Sequence, residues 1–256
     1  MKTVTKELKI TNGSREIYGK LYIPKKEGRY PAIILCHGYN GTHDYWENEC
    51  SYYASRGYIA YAFDFCGGSV NSKSTGNSTD MTITSEKKDL FMVFDYIKAM
   101  DNVDSRNIFL FGGSQGGLVS ALAAAERAEE VKALAMYYPA FCIPDNWGER
   151  YKNPDDAPEK FDFWGLELGR EFIRDVKGID VFNVIGNYKG NVLIIHGDKD
   201  DIVPFSYSKR AAEIYEHAEL VKLENEGHGF SESGGVKAKE TVLGFFDREC
   251  QKNISI

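Results

Sequence analysis

The stretch NIFLFGGSQGGLVSALAAAE, residues 107–126, passes from an apolar run through four glycines into an alanine-rich segment. The apolar run is typical of a buried strand, and the alanine-rich segment favours a helix. Glycine weakens both kinds of element, so four glycines at one junction indicate a constraint on the backbone. The sequence therefore predicts a tight strand-to-helix turn that carries Ser114.

The turn GGSQG, residues 112–116, has the pattern G-x-S-x-G. A serine at the end of a strand lies in strained backbone there, and small neighbours allow the following helix to approach closely. The start of that helix directs free N–H groups toward the serine, where they suit a developing negative charge. The pattern therefore predicts that Ser114 is a nucleophile.

A serine hydroxyl is a poor nucleophile without a base, and the chain has five histidines. His217 lies in a charged helical segment and is expected in solvent, whereas His196 ends the apolar run NVLIIHG and is expected to pack there. His43 lies in a loop and is expected at the surface, with substrate contact as the alternative. His228 lies in a glycine-flanked loop after the last predicted strand, and it follows the serine in chain order. We therefore predict His228 as the base.

The third group of such a site is an acid between the serine and the histidine. The loop HGDKDDIVP offers Asp198, Asp200 and Asp201. A calcium loop would need ligands over a longer run that ends in glutamate, and this loop lacks that pattern. Spacing alone leaves the choice among the three aspartates open, but the chain order serine, aspartate, histidine differs from the orders in chymotrypsin and subtilisin.

The rest of the chain predicts the architecture. An Asn-Gly turn between two alternating segments predicts an N-terminal hairpin, and four apolar runs that alternate with helical segments predict buried strands. The runs are PAIILC, YIAYAFDF, VKALAMYYP and NVLIIHG. This order predicts the α/β class, with a mostly parallel central sheet and helices on both faces.

One long segment interrupts this alternation. Residues 141–187 carry prolines, charges and clustered aromatic residues where one crossover helix would suffice. We predict a core of residues 1–140 and 188–256, with residues 141–187 as a small inserted cap; the alternative is a long surface excursion. Because aromatic clusters often mark binding surfaces, three cap residues are candidates for substrate contact, with packing inside the cap as the alternative. They are Trp147, Phe163 and Trp164.

Composition restricts the class of partner. A formal net charge of −7 argues against nucleic acid or an anionic membrane surface as a partner. The five cysteines lack metal-ligand spacing, which argues against a disulfide scaffold or a structural zinc ion. The polar start of the chain lacks the apolar region of a signal peptide, and no apolar run is long enough to span a bilayer. These features favour a cytoplasmic protein with a small-molecule substrate; a homodimer is one arrangement that the sequence allows.

Taken together, the motifs make the chain similar to the serine esterases of the α/β-hydrolase superfamily, nearly end to end. HGYNG resembles the oxyanion loop of that superfamily, GGSQGG its nucleophile elbow, HGDKDDIVP its acid loop and EGHGF its histidine loop. The resemblance selects Asp200 as the acid and implies that Asp198 and Asp201 shape the loop or face solvent. It also implies an oxyanion hole formed by the backbone N–H groups of Tyr39 and Gln115, so the side chain of Gln115 is expected to matter little.

Within the superfamily the chain resembles bacterial cinnamoyl or feruloyl esterases. The shared features are the SQGG elbow, the YYPA strand end and the part of the cap that runs FWGLELGREFIRDVKGIDVFNVIGNYKG into the acid strand. Many of these relatives carry an arginine where this chain has Cys66 and a histidine where it has Gly113. The resemblance implies hydrolysis of a hydroxycinnamate ester through an acyl-enzyme, with no metal or organic cofactor.

Other functions use the same three groups. A general short-chain carboxylesterase, a thioesterase, an acyltransferase and a small peptidase are alternatives, because all of them transfer an acyl group. Haloalkane dehalogenases and epoxide hydrolases are disfavoured, since they carry aspartate where Ser114 stands. The alternative outside catalysis is a ligand-binding sensor on a hydrolase scaffold, and such a sensor would not need all three groups.

Overall fold

The structure, a computed structural model, describes residues 1–251. Eight strands form its main sheet: β1 (Thr3–Asn12), β2 (Arg15–Pro24), β3 (Tyr30–Cys36), β4 (Ile59–Phe63), β5 (Val103–Gly113), β6 (Ala133–Tyr137), β9 (Asn191–Gly197) and β10 (Ala218–Leu223). Two more strands, β7 (Lys160–Phe163) and β8 (Leu166–Gly169), form a separate antiparallel hairpin. Residues 252–256, the end of the predicted core segment, lie outside the described residues.

The sheet has the order β1-β2-β4-β3-β5-β6-β9-β10. The β1–β2 and β2–β4 pairs are antiparallel, and every pair from β4 to β10 is parallel. The predicted N-terminal hairpin is confirmed: Asn12 pairs with Arg15, and the turn between them places Gly13 at φ 59°. That left-handed conformation favours glycine.

The strands from β4 to β10 run parallel to one another, so their carboxyl ends meet at one edge of the sheet. Proteins of the α/β class place their functional sites at this edge.

Within residues 1–251, seven α-helices lie between strands and an eighth follows β10: α1 (Glu47–Ser55), α2 (Ile83–Lys98), α3 (Gln115–Glu126), α4 (Ile143–Arg150), α5 (Arg170–Lys177), α6 (Val181–Ile185), α7 (Phe205–Ile214) and α8 (Glu232–Gln251). Helices α1 and α8 bury their apolar side chains on one face of the sheet, and α2 and α3 bury theirs on the other. Neighbouring residues of β3 explain why its sequence is apolar throughout, because Ile33 faces one layer and Ile34 the other. No helix within residues 1–251 is long and apolar enough to cross a bilayer.

The segment between β6 and β9 contains α4, the β7–β8 hairpin, α5 and α6. Its aromatic residues pack on one another around the buried ring of Trp147, which contacts Phe161, Phe163 and Phe172 at centroid distances of 5.4, 4.9 and 5.8 Å. The hairpin joins the main domain through Tyr39, whose hydroxyl donates to the carbonyl of Phe163 at 2.7 Å. These contacts hold the hairpin over the carboxyl edge of the sheet, next to the turn that carries Ser114.

Candidate active site

Ser114 lies at the predicted turn between β5 and α3, in strained backbone. Its φ of 53° and ψ of −121° are unusual for a residue with a side chain. The flanking glycines permit the close packing of this turn: a Cβ at Gly112 would lie 2.2 Å from the carbonyl oxygen of Gly116, and one at Gly116 would lie 2.3 Å from that of Cys36. The close backbone packing of this turn therefore requires glycine on both sides of the serine.

Gly113, where many relatives carry histidine, faces a different neighbour. A Cβ at Gly113 would lie 2.9 Å from the indole ring of Trp46, which is buried against Phe111 and Tyr137. A histidine side chain would therefore collide with that indole. The departure from the family pattern follows from the packing of Trp46.

Cys66, where many relatives carry arginine, is buried beside an ion pair. Its backbone N–H donates to Asp89 at 2.9 Å, and the other carboxylate oxygen of Asp89 pairs with the guanidinium of Arg15. An arginine is thus present next to this loop, but it comes from β2.

The structure brings Ser114, His228 and Asp200 into one hydrogen-bonded chain. The Ser114 hydroxyl lies 3.0 Å from Nε2 of His228, and Nδ1 of His228 lies 2.8 Å from Oδ2 of Asp200. The His228 side chain is 16% exposed and that of Asp200 is fully buried. This is the geometry in which an imidazole accepts the serine proton while a carboxylate orients the ring.

Asp200 has further partners that hold it as a carboxylate. Its Oδ1 accepts the backbone N–H groups of Ile202 and Val203 at 2.9 and 2.8 Å. Nε2 of His196 lies 3.1 Å from Asp200 Oδ2 and 3.0 Å from the carbonyl of Val203; because both neighbours accept, this nitrogen carries the proton. Burial alone would raise the pKa of the Asp200 carboxyl, but the hydrogen bonds from His196, His228 and Val203 outweigh burial and lower it below its ordinary value. Asp200 is therefore ionised at neutral pH.

The other two aspartates of the loop lie elsewhere. Asp198 accepts the backbone N–H of Asn225 at 2.7 Å and so ties the acid loop to the loop of His228. Asp201 is exposed and lines the cavity next to Ser114. The structure distinguishes the three aspartates by their contacts. Of the three, Asp200 is the one that contacts an imidazole of the site.

The predicted oxyanion donors flank Ser114. The loop after β3 passes close to Ser114 at Gly38, where a Cβ would lie 3.1 Å from Cβ of Ser114. Tyr39 is the next residue of this loop. Gln115 is the first residue of α3, where a backbone N–H has no acceptor within the helix. Within residues 1–251, neither N–H donates to another protein group. Both donors are thus available to a bound oxygen.

The side chain of Gln115, which we expected from the sequence to matter little, has a buried hydrogen-bond partner. Its Nε2 donates to Oε2 of Glu86 at 2.9 Å, and both side chains are buried. Burial raises the pKa of the Glu86 carboxyl to about 8, so it is protonated at neutral pH. Glu86 was missed although a signal existed: it lies on the apolar face of α2, four residues before Leu90 and seven before Val93. The bond fixes the first residue of α3, whose N–H is a predicted oxyanion donor.

Glu86→Gln is expected to change how stability depends on pH. The folded protein holds the Glu86 proton up to pH about 8, whereas the unfolded chain loses it near the ordinary value of 4.5. Between these values the contribution of Glu86 to the free energy of unfolding falls as pH rises. Glutamine has no such ionisation, so the stability of E86Q relative to wild type grows over this range, by on the order of a few kcal/mol.

Urea unfolding at several pH values between 5 and 9 measures this difference. Glu126→Gln is the matched control, because the Glu126 side chain is 55% exposed and pairs at the surface with Lys87. E126Q should follow the wild-type curve. If E86Q ran parallel to wild type across the range, Glu86 would not be a buried, protonated acid.

Two cavities of about 340 Å³ each border Ser114. The first, the cap-side cavity, is lined by Trp147, Phe163 and Phe172 of the predicted cap together with Gln115. The second, the histidine-side cavity, is lined by Tyr45, Tyr138, His228 and Gly229. Trp164, 63% exposed, borders both. The three aromatic residues named as substrate-contact candidates therefore all line a cavity beside Ser114.

The remaining histidines do not reach Ser114. His217 is exposed and His196 is buried, both as predicted. The expectation that His43 lies at the surface is wrong, because His43 is buried and its Nδ1 lies 2.6 Å from Asp64. The position of His43 in a loop gave no indication of this partner, because Asp64 lies in a distant part of the chain, directly after β4. Within residues 1–251, no cluster of three or more His, Cys, Asp or Glu side chains is placed to hold a metal ion.

The sequence of this chain matches one protein family. Residues 44–253 match the prolyl oligopeptidase family. The human mitochondrial palmitoyl-protein thioesterase ABHD10 is 28% identical over 204 residues, which cover 74% of this chain and 63% of that protein. The acetyl esterase Axe7A of Xylanibacter ruminicola is 29% identical over 137 residues, which cover 44% of this chain and 30% of the esterase. The chain thus spans less than two thirds of the length of these curated relatives.

Solved structures match over nearly the whole chain. Est1E from Butyrivibrio proteoclasticus superimposes with a TM-score of 0.85 at 26% identity, covering 96% of this chain and 99% of Est1E. The structure of Est1E with bound ferulic acid gives a TM-score of 0.82 at 27% identity, covering 93% and 98%. Mouse ABHD10 gives a TM-score of 0.76 at 20% identity, covering 95% and 99%, and this likeness concerns the fold alone. The predicted α/β-hydrolase fold is confirmed.

Proposed function

Since this chain belongs to the prolyl oligopeptidase family, whose members have the α/β-hydrolase fold, we propose that it is a serine carboxylesterase that hydrolyses hydroxycinnamate esters. The observation that carries the proposal is the hydrogen-bonded chain Ser114–His228–Asp200 beside an aromatic cavity. A sensor that only binds a ligand would have no use for a serine aligned on an imidazole and a buried carboxylate.

The proposed reaction has two halves. His228 accepts the Ser114 proton as the serine oxygen attacks the ester carbonyl, and Asp200 stabilises the imidazolium. The N–H groups of Tyr39 and Gln115 hold the oxyanion, each contributing about 3 kcal/mol as in enzymes of this type. The carbon–oxygen bond to the alcohol breaks and His228 returns the proton to the leaving oxygen. Water then repeats the sequence, which releases the acid and restores Ser114.

The direction of proton transfer indicates which part of the ester would occupy each cavity. Because His228 protonates the leaving oxygen, the alcohol lies on its side of Ser114, in the histidine-side cavity. The acyl group then occupies the cap-side cavity, and residues 141–187 act as the cap over it. A volume of about 340 Å³ lies at the low end of the range for ligand sites and suits one small aromatic acid.

The lining of the cap-side cavity supports an aromatic acyl group. Trp147, Phe163 and Phe172 line this cavity, and aromatic side chains pair well with a planar phenyl ring. The exposed polar side chains of Asn146 and Arg150 line the same cavity and suit ring hydroxyl or methoxy oxygens. Est1E, the structural relative at 27% identity, binds ferulic acid, an acid of this shape.

The acyl preference is expected to appear directly in kinetics. Methyl ferulate and methyl cinnamate should exceed methyl butyrate in kcat/KM, by about tenfold or more, because ring contacts in the cavity are unavailable to a short chain. The measurement is a panel of methyl esters with different acyl groups, assayed by acid release at constant pH. A clear preference for the aliphatic ester would make the protein a general short-chain carboxylesterase.

A pair of variants in one strand links that preference to the cavity. Phe163 and Phe161 lie on the same side of β7, but only Phe163 lines the cap-side cavity. Phe163→Leu should therefore lower kcat/KM for methyl ferulate more than for methyl butyrate. Phe161→Leu should affect both esters alike, because that ring packs on Trp147 away from the cavity.

Thioesterase activity is the second candidate function, because the human relative at 28% identity is a palmitoyl-protein thioesterase. The methyl-ester panel is therefore extended with feruloyl, butyryl and palmitoyl thioesters and with a feruloyl amide. Faster turnover of the palmitoyl thioester than of any ester would assign the protein to thioesterases, and turnover of the amide would assign it to peptidases.

A further inference from the structure

Tyr138, the residue after β6, is held in an uncommon backbone conformation. Its φ is 35°, which a residue with a bulky side chain rarely adopts. The backbone is fixed by an N–H donated to the carbonyl of Ile195 at 2.9 Å. The side chain is 3% exposed. Strain of this kind persists where surrounding structure enforces it, and it concentrates at functional sites.

The ring of Tyr138 packs against the loop of His228. The centroids of the Tyr138 and His228 rings are 4.5 Å apart at an interplanar angle of 51°. The ring of Phe230, from the same loop, meets Tyr138 at 4.9 Å. The two nitrogens of His228 already face Ser114 and Asp200. The contact with Tyr138 therefore supports the imidazole ring while leaving both nitrogens to their partners.

The hydroxyl of Tyr138 has its own partner. It lies 2.8 Å from the hydroxyl of Tyr45, which is 55% exposed at the histidine-side cavity. Burial raises the pKa of the Tyr138 hydroxyl well above its ordinary value, so the ring is that of a neutral phenol. The hydroxyl pair fixes the far end of the ring, and the strained backbone fixes the near end.

Ionisable groups other than Tyr138 also lie near His228. Asp200 is the charged group in contact, and His196 lies behind Asp200 with its ring 6.4 Å from that of Tyr138. Tyr45 lines the histidine-side cavity and bonds the hydroxyl of Tyr138. A change at Tyr138 therefore alters the surroundings of the imidazole without removing a charge.

We propose that Tyr138 is a positioning residue of this site, whose ring holds the His228 imidazole against Ser114 and stabilises the imidazolium formed during acyl transfer. An aromatic face within about 6 Å of a cation attracts it, and the effect is largest where water is excluded. During the reaction the imidazolium forms as Ser114 gives up its proton, so the ring favours the step in which charge forms. This inference rests on the proposed function, in which His228 is the base.

The test compares Tyr138→Leu with Tyr138→Phe. Leucine removes the π face but fills much of the space, whereas phenylalanine keeps the face and loses only the bond to Tyr45. Two quantities are followed against pH: kcat/KM for methyl ferulate, and the rate at which a fluorophosphonate probe labels Ser114. The acid limb of both profiles reports protonation of the free base.

In Y138L the protonated imidazole is less stable, so the acid limb should move to lower pH by about half a unit, and the plateau rate should fall about three- to tenfold. Y138F should keep the wild-type acid limb. An unmoved acid limb in Y138L would overturn the proposal, and so would an equal movement in Y138F, because the hydroxyl and not the ring would then be responsible.

A second measurement covers the case in which Y138L does not fold. Pentafluorophenylalanine at position 138 keeps the shape of the ring but reverses the charge of its face, so the acid limb should move in the same direction as in Y138L. An unmoved limb would again overturn the proposal. Failure of the proposed function is separable: a wild-type protein that the probe does not label has no activated serine, whereas labelling without ferulate turnover changes the substrate and leaves the Tyr138 test intact.

Discussion

Ser114→Ala is expected to lower kcat for every ester in the panel by at least about 10⁴-fold. The hydroxyl at this position lies 3.0 Å from Nε2 of His228, and it is the atom that would form the acyl-enzyme. Alanine leaves the strained turn and its glycines in place, so the variant should fold and still bind substrate. Residual turnover would come only from the oxyanion donors and from binding.

The measurement is steady-state release of ferulate, together with fluorophosphonate labelling, which should disappear in S114A. Ser120→Ala is the matched control, because Ser120 is a buried serine of α3, the helix that follows Ser114, and it lines neither cavity beside Ser114. S120A should keep labelling and most of the activity. Turnover by S114A at a rate close to that of S120A would contradict the proposed mechanism.

Asp200→Asn is expected to lower kcat by about 10³- to 10⁴-fold. The carboxylate accepts from Nδ1 of His228 and so keeps Nε2 free to take the serine proton. An amide can donate to Nδ1, which would place the imidazole proton on the wrong nitrogen. The loss should appear in kcat more than in KM, because the acid acts on charge that forms after binding.

The neighbouring aspartates provide the controls. Asp198→Asn should cost about tenfold or less, because Asp198 supports the loop of His228 only through the backbone N–H of Asn225. Asp201→Asn, at an exposed position, should act mainly on KM through the cap-side cavity. Equal losses in all three variants, or a larger one in D198N, would contradict the assignment of Asp200.

The sequence alone was sufficient for the architecture and for the position of the serine. The buried strands, the hairpin and the turn at residues 112–116 depend on neighbours in the chain, since periodicity and glycine placement act over a few residues. The expectation that His228 and one of three aspartates act with Ser114 came from their loops and their order in the chain, and the family resemblance selected Asp200. The structure places these groups in hydrogen-bond contact, and their catalytic roles remain predictions.

Contacts between distant segments were decided only by the tertiary structure. The chain pattern gave no reason to pair Glu86 with Gln115, His43 with Asp64 or Tyr138 with His228, because each pair joins two different loops or helices. The sequence by itself determined the fold class and the turn that carries Ser114, since those follow from local backbone chemistry. The tertiary structure decided which aspartate meets the imidazole, which rings line the cavities and which buried groups support the turn that carries Ser114. These contacts depend on how separate loops pack.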